Sequence, residues 1–294
     1  GFGGDNNAYY MGTEGPYFWL DRDDMTGAGP AVTLRQLWDF LDQTGHPYMT
    51  IPHHTSRDGK YRSFADPAYD AKRERLFEIY SGWGSSERRI NRFPLRGGNS
   101  DEPAYFVDAL KAGCRYGVIA SSDDHRTLPG VEAGNGPALS ADEQLWHRHN
   151  GLAGVWAREL TRESLWEAMT ARRTVATTFE RTLLELSVDD VPMGAEADLS
   201  GTDAMTRKRT IRARALGLSR GRTDLVLVRN GDDIARKPWS IGQPDVVFED
   251  HDPIHDVAIT DAMHHQGPFV VYYLRLENAF GSTQWSSPVW LDLA

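Results

Sequence analysis

Two hydrophobic patterns divide the chain. Up to about residue 180, short apolar runs alternate with stretches whose apolar residues recur at helical spacing. The runs at 48–51, 76–80 and 116–120 read as strands, and the last, preceded by Gly and stopped by a polar cluster, fits a strand buried on both faces. Between them, a helix is predicted over 33–45. Thr33 can cap it, Leu34, Leu37, Trp38 and Leu41 share one face, and Gly45 stops it. Further helices are predicted over 66–75, 102–112 and 161–172, the last with Thr161 as cap. Strand-like pieces are predicted at 17–20, 154–157 and 174–178.

Beyond residue 180 the period drops to two. The segments 183–188, 210–215, 224–229, 270–276 and 289–293 alternate apolar with polar, and Asn230-Gly231 and Phe280-Gly281 mark turns between strands. This is the pattern of an antiparallel β-sandwich. The expected class is therefore α/β: a helix–strand domain over residues 1–180, then a small sandwich over 181–294.

Composition narrows the function classes. With 294 residues, 40% hydrophobic and 25% charged, the chain is ordinary globular protein. No apolar run approaches the roughly 20 residues that cross a bilayer as a helix, so no membrane span is expected. A net charge of −10 disfavours a nucleic-acid partner but leaves small phosphate substrates open, since local charge governs those. The single cysteine, Cys114, excludes an intrachain disulfide framework and reads as a small core residue. The chain begins Gly-Phe-Gly-Gly without Met, which reads as a processed or fragmentary start. A periplasmic or secreted location, with its targeting segment outside this chain, is the expectation.

The candidate chemistry sits where the apolar runs end. The first is followed by His53 and His54, the second contains Glu78, and the third runs out into Ser121-Ser-Asp-Asp-His125. Sheets with parallel strands collect ligands at strand C-termini. Asp123 and His125, two apart on extended backbone, can share a cation. His53, His54, Glu78, Asp123 and His125 are thus expected to converge on one metal site, with Asp124 orienting a ligand or accepting a proton. Arg57, Lys60, Arg88, Arg89 and Arg126 are the basic residues nearest these positions and could neutralise an anionic substrate. His147 and His149 lie in an irregular stretch that could reach the same mouth, whereas His264 and His265 precede a Gly-Pro turn and are expected exposed.

Several of these stretches, Ile51-Pro-His-His-Thr55, Phe77-Glu-Ile-Tyr-Ser81, Ser121-Ser-Asp-Asp-His125, the segment 151–162 and Arg172-Arg-Thr-Val-Ala-Thr-Thr178, resemble the DUF3604 family. That family is a branch of the PHP (polymerase and histidinol phosphatase) superfamily of metal-dependent phosphoesterases. The resemblance implies a distorted (β/α)7 barrel with two or three divalent ions (Mn, Zn or Fe) at its strand ends. On that pattern His53, with His54 as runner-up, corresponds to the mid-barrel histidine, Glu78 to the next carboxylate, and Asp123 and His125 to the closing Asp-x-His. The superfamily's opening His-x-His has no counterpart before His46, so those ligands lie on sequence outside this chain or the site is degenerate.

Function follows as an expectation: a metal-dependent hydrolase acting on a small molecule, with a phosphoester as the first choice. The same metals could instead cleave a glycosidic or another non-phosphate bond, with Trp83, Trp146 and Trp156 available to stack on a sugar. A non-catalytic binding module is the remaining alternative.

Overall fold

The computed structural model describes residues 4–16, 33–58, 62–96, 101–123, 150–178, 180–199, 208–217 and 221–293. The predicted runs become β2 (Tyr48–His53), β3 (Leu76–Ser81) and β5 (Gly117–Ala120). The predicted helices appear as α1 (Leu34–Gln43), α2 (Phe106–Lys111) and α3 (Arg162–Thr170). The hydroxyl of Thr33 accepts from Gln36 N at 3.2 Å, and that of Thr161 accepts from Ser164 N at 3.3 Å, so both caps work locally as their side chains dictate. The strand read at 17–20 lies outside the described residues.

The molecule is built around β15 (Phe269–Asn278), which is buried along nearly its whole length. On its edges it pairs antiparallel with β12 (Thr223–Arg229), β16 (Thr283–Ser286) and β17 (Val289–Asp292). That sheet continues through β7 (Thr174–Thr177) to β6 (Leu152–Val155) and, past β17, to β10 (Glu196–Asp198); β13 (Asp232–Trp239) pairs with β12. Asn230 and Gly231, with φ of 53° and 89°, form the tight turn between β12 and β13. Two positive φ values in succession suit the right-handed twist of a hairpin.

The two faces of this sheet serve different cores. Val270, Tyr272, Leu274 and Leu276 face a second sheet of β8 (Leu183–Val188), β9 (Val191–Pro192), β11 (Arg209–Leu216) and β14 (Asp245–Asp250), packing on Leu184, Leu186, Ile211 and Phe248. Phe269, Val271 and Tyr273 point the other way, with Trp285 and Trp290, onto Phe77 of β3, Phe106 of α2, Val118 of β5 and Tyr116 just before it. Cys114 is buried in that second core. Ser287 fastens the layers, accepting from Val118 N at 3.0 Å and donating to Thr174 O at 2.8 Å. The pattern change near residue 180 is therefore a change of architecture inside continuous packing.

The expected (β/α)7 barrel is not what the chain forms: among the described residues the sheets are open and no barrel closes. A barrel of that kind needs each strand parallel to its neighbour with a helix crossing over. Here β1 (Asp5–Tyr10) runs antiparallel to β2, and β6 antiparallel to β7; β3 and β5 do pair in parallel. The crossover helix read at 66–75 is also replaced by turns. Asp66 Oδ1 accepts from Ala68 N and Asp70 Oδ1 from Lys72 N, both at 2.8 Å. Such local bonds compete with a helix, and Pro67 disfavours helical backbone at Asp66. His264 and His265, expected exposed, are half-buried, His264 with its ring 5.2 Å from that of Tyr69.

One buried ionic group ties the sandwich. Asp250 pairs with Arg209 at 2.9 Å and Arg229 at 2.8 Å and accepts from the Tyr272 hydroxyl at 2.7 Å. Burial alone would raise its carboxyl pKa, but the bonds from Tyr272, Arg229 and Arg209 prevail and bring it down to about 2.

Two outcomes follow. A depressed folded-state pKa means that Asp250 contributes stability in full above its unfolded value of about 4, and loses it as the pH falls towards 2. Asp250→Asn should destabilise by about 3 kcal/mol at neutral pH, because Arg209 keeps its charge and loses its partner, and should flatten urea-denaturation midpoints plotted between those pH values. Second, residues 1–180 expressed alone should give no cooperative melt, since Val271, Tyr273, Trp285 and Trp290 complete their core; a sharp calorimetric transition in that fragment would contradict the shared packing.

Candidate metal centre

β2 delivers two consecutive histidines. Successive side chains on a strand point to opposite faces, so His53 and His54 would normally diverge. The strand ends at His53, and His54 adopts φ 52°, with Arg57 N bonded back to His54 O at 2.9 Å. That left-handed bend swings the second imidazole beside the first, with ring centroids 3.5 Å apart. A positive φ outside glycine is uncommon, though His, Asn and Asp adopt it most readily.

Glu78 comes from the middle of β3 and is buried. One of its oxygens lies 2.6 Å from His53 Nδ1, and the other accepts from Ser121 Oγ at 2.5 Å. Past the end of β5, Ser121 N donates to Tyr80 O and Gly82 N to Ser122 O, at 3.0 and 3.1 Å. A Cβ on Gly82 would stand 2.8 Å from the Ser122 carbonyl oxygen, so the chains approach this closely only with glycine there. Asp123 follows, itself at φ 46°, with its carbonyl accepting from Trp83 Nε1 at 3.1 Å.

These pieces meet at the Asp123 carboxylate. Its Oδ2 lies 2.7 Å from His54 Nε2 and 3.4 Å from His53 Nε2. Ligand atoms of His53, His54 and Asp123 all fall within 4.8 Å of one another. Ligands about 2.1 Å from a tetrahedral ion stand roughly 3.4 Å apart, so small side-chain shifts would seat one cation. Two imidazoles and a carboxylate without thiolate suit Zn, Mn or Fe, and three protein ligands leave a position open. Glu78 contacts the ring nitrogen of His53 opposite the one facing Asp123. A carboxylate there holds Nδ1 as the donor and turns Nε2 outward as a lone pair.

The electrostatics favour a cation at this point. Burial opposes a charged His53 ring, but Asp123 and Glu78 outweigh it and push its pKa up to about 10. Burial likewise opposes the ionised Asp123, and the two histidines overcome it and hold the carboxyl well below its usual range. Beside the cluster, Trp83 carries the guanidinium of Arg57 5.1 Å from its ring centre and that of Arg96 at 5.5 Å.

His53, His54, Glu78 and Asp123 are thus brought together, with Arg57 alongside. Asp124, His125, Arg126, Lys60, His147 and His149 lie outside the described residues. Arg88 pairs with Asp233 and Glu87, and Arg89 with Asp101, so neither is held at the cluster. Ser121, Arg96 and the anchoring bond from Trp83 were not singled out by sequence reasoning. Ser121 was findable as the first polar residue after a buried strand; the other two depend on how a loop folds back.

Residues 112–189, which include Asp123, match the model of DUF3604, described as a protein of unknown function. The chain is 31% identical over 258 residues to an uncharacterized protein of Chlamydia pneumoniae, covering 86% of this chain and 40% of that one. Uncharacterized proteins of Chlamydia muridarum and Chlamydia trachomatis serovar D are each 29% identical over 259 residues, with the same coverage. The chain spans about two-fifths of the length of these curated relatives. Among solved structures an engineered protein aligns over 38% of this chain and 20% of its own at 11% identity, with a TM-score of 0.23, too low to bear on the fold.

Glu78→Gln keeps the shape and removes the charge behind His53. It should weaken binding of Zn or Mn about 10- to 100-fold in a chelator-competition titration while leaving the melting profile close to wild type. Unchanged affinity would show that Glu78 does not support the ring.

Proposed function

We propose that this chain carries part of the metal centre of a hydrolase, in which His53, His54 and Asp123 hold a divalent cation and a phosphoester is cleaved. The observation that carries this reading is the convergence of three ligand atoms from two separate strand ends within 4.8 Å, with a carboxylate on the far nitrogen of one histidine. A bound Zn, Mn or Fe ion would supply Lewis-acid polarisation and activation of water. The wider relation to the PHP phosphoesterases, and a second or third ion, belong to the same proposal. Further ligands would come from His125 or from sequence outside these residues.

The chain's own groups have distinct tasks. Glu78 and Ser121 fix the tautomer and orientation of His53. Trp83 holds the Asp123 backbone and spaces Arg57 and Arg96 beside the cluster, where guanidinium groups bind phosphate oxygens in pairs. Two such cations next to an acidic metal cluster favour an anionic ester over a neutral one. Burial of His54 and Glu78 limits bulk water to the open side.

The full-length protein, purified without chelator, should contain about one or more equivalents of transition metal by plasma mass spectrometry. It should hydrolyse an aryl phosphate monoester or diester in a Mn- or Zn-dependent manner. Asp123→Ala and His54→Ala should each lower both readouts at least about tenfold. Less than half an equivalent of metal in wild type, or wild-type occupancy in both variants, would end the metal reading. Turnover of aryl glycosides with no turnover of the phosphates would keep the metal and replace the bond.

A further inference from the structure

The sandwich sheet of β8, β9, β11 and β14 turns one face away from its core. Leu184, Leu186, Ile211, Ala213, Val246 and Phe248 point inward. The residues alternating with them, Glu185, Ser187, Arg212, Arg214, Asp245 and Val247, therefore make up the outer surface. A cavity of about 570 Å³ opens over that surface and is completed by Trp156, Arg173, Pro192 and Met193. Its volume falls within the range of small-molecule sites. The sheet of β15 lies between this face and the layer that carries the histidines.

The strand register sorts the charges of this face into rows. Arg214 stands opposite Glu185 on β8 and Asp245 on β14, with ion pairs of 3.9 and 3.6 Å, so two carboxylates answer that guanidinium. Two residues back along β11, Arg212 stands opposite Ser187 and Val247, and Ser187 opposite Pro192. That row holds no carboxylate. Among the described residues Arg212 pairs with Asp190 alone, at 4.0 Å, beyond hydrogen-bonding reach. The two side chains are 62% and 91% exposed, and a surface pair at that separation contributes almost nothing. Arg212 thus keeps its donors open to the cavity, with the Ser187 hydroxyl across the strand at a Cβ separation of about 5 Å.

Apolar surface surrounds this one guanidinium. Val247 is 43% exposed and Pro192 is exposed as well. The Trp156 indole is pinned by its N–H to Leu184 O at 3.1 Å, which leaves the ring as a fixed wall. A carboxylate matches the fork of a guanidinium. A second negative charge on the same ligand would meet Glu185 and Asp245 in the neighbouring row, and a cation would meet Arg212.

We propose that this cavity binds a small molecule with one carboxylate on an apolar body. The carboxylate sits on Arg212 and Ser187, and the body covers Val247, Pro192 and Trp156. The site is separate from the histidine cluster and does not depend on a metal there. Its role is recognition.

The test is a titration of the full chain with decanoate and with 1-naphthylacetate, and with decylammonium and decanol as cationic and neutral counterparts. The readout is the indole N–H resonance of Trp156 in nitrogen-edited NMR, assigned through Trp156→Phe. At least one of the two acids should shift that resonance saturably, with a dissociation constant of about 0.1–1 mM. Arg212→Gln should weaken the binding about tenfold, as expected for one lost charge-assisted hydrogen bond, with an unchanged melting temperature. Arg222→Gln removes the same charge from a side chain that is 82% exposed and lies outside the cavity, and should bind as wild type does. No saturable shift with either acid would overturn the proposal. So would equal or tighter binding of decylammonium or decanol, or equal effects of Arg212→Gln and Arg222→Gln.

Discussion

The structure depends on a strand that has no solvent side. Val270, Tyr272, Leu274 and Leu276 of β15 belong to the sandwich core, and Phe269, Val271 and Tyr273 between them to the core under β3, β5 and α2. A slip of one position would exchange the two sets, placing Tyr273 and Arg275 among the aliphatic side chains of the sandwich and stranding Tyr272 away from Asp250. Register is therefore specified twice over, by packing on both faces and by the polar groups Tyr272, Tyr273 and Arg275, each with a defined partner. The layer that carries the histidines is held against this wall, so the geometry at His53 and Asp123 is inherited from packing more than one layer away.

Within that frame, the cluster is assembled from backbone irregularities. The three buried strands bring the chain to one edge; the last step is made by His54 and Asp123 in left-handed conformations and by a glycine at position 82. Each costs something locally, and each persists because neighbouring groups fix it: Arg57 N on the His54 carbonyl, the Trp83 indole on that of Asp123, Ser121 on Glu78. Strain concentrated in residues that also converge chemically is the usual sign of a functional constraint.

Much of this was legible in the sequence because it is local. Thr33 and Thr161 announce their helices; the apolar runs before His53, at Glu78 and before Asp123 announce their strands; the two-residue period beyond 180 announces the sandwich, though β13 and β14 were not read. The arrangement of those elements was not legible. Runs buried on both faces look alike whether their neighbours are parallel or antiparallel, so the same order of strands fits a barrel and the open sheets that the chain forms. The turns at Asp66 and Asp70 override a helical pattern through single side-chain bonds. The partnership of Glu78 with His53 crosses 25 residues and leaves no trace in periodicity. The portion of the expected site at Asp124, His125 and Arg126 lies outside the described residues.

The bend at His54 has a consequence for how such a cluster can change over evolutionary time. The position asks two things of its occupant: a backbone tolerant of positive φ and a nitrogen lone pair. Asparagine and glycine meet the first demand, and histidine meets both. A lineage could therefore lose the lone pair at this position through Asn and still keep the loop in place, leaving a silent scaffold on which histidine could later be restored in a single step.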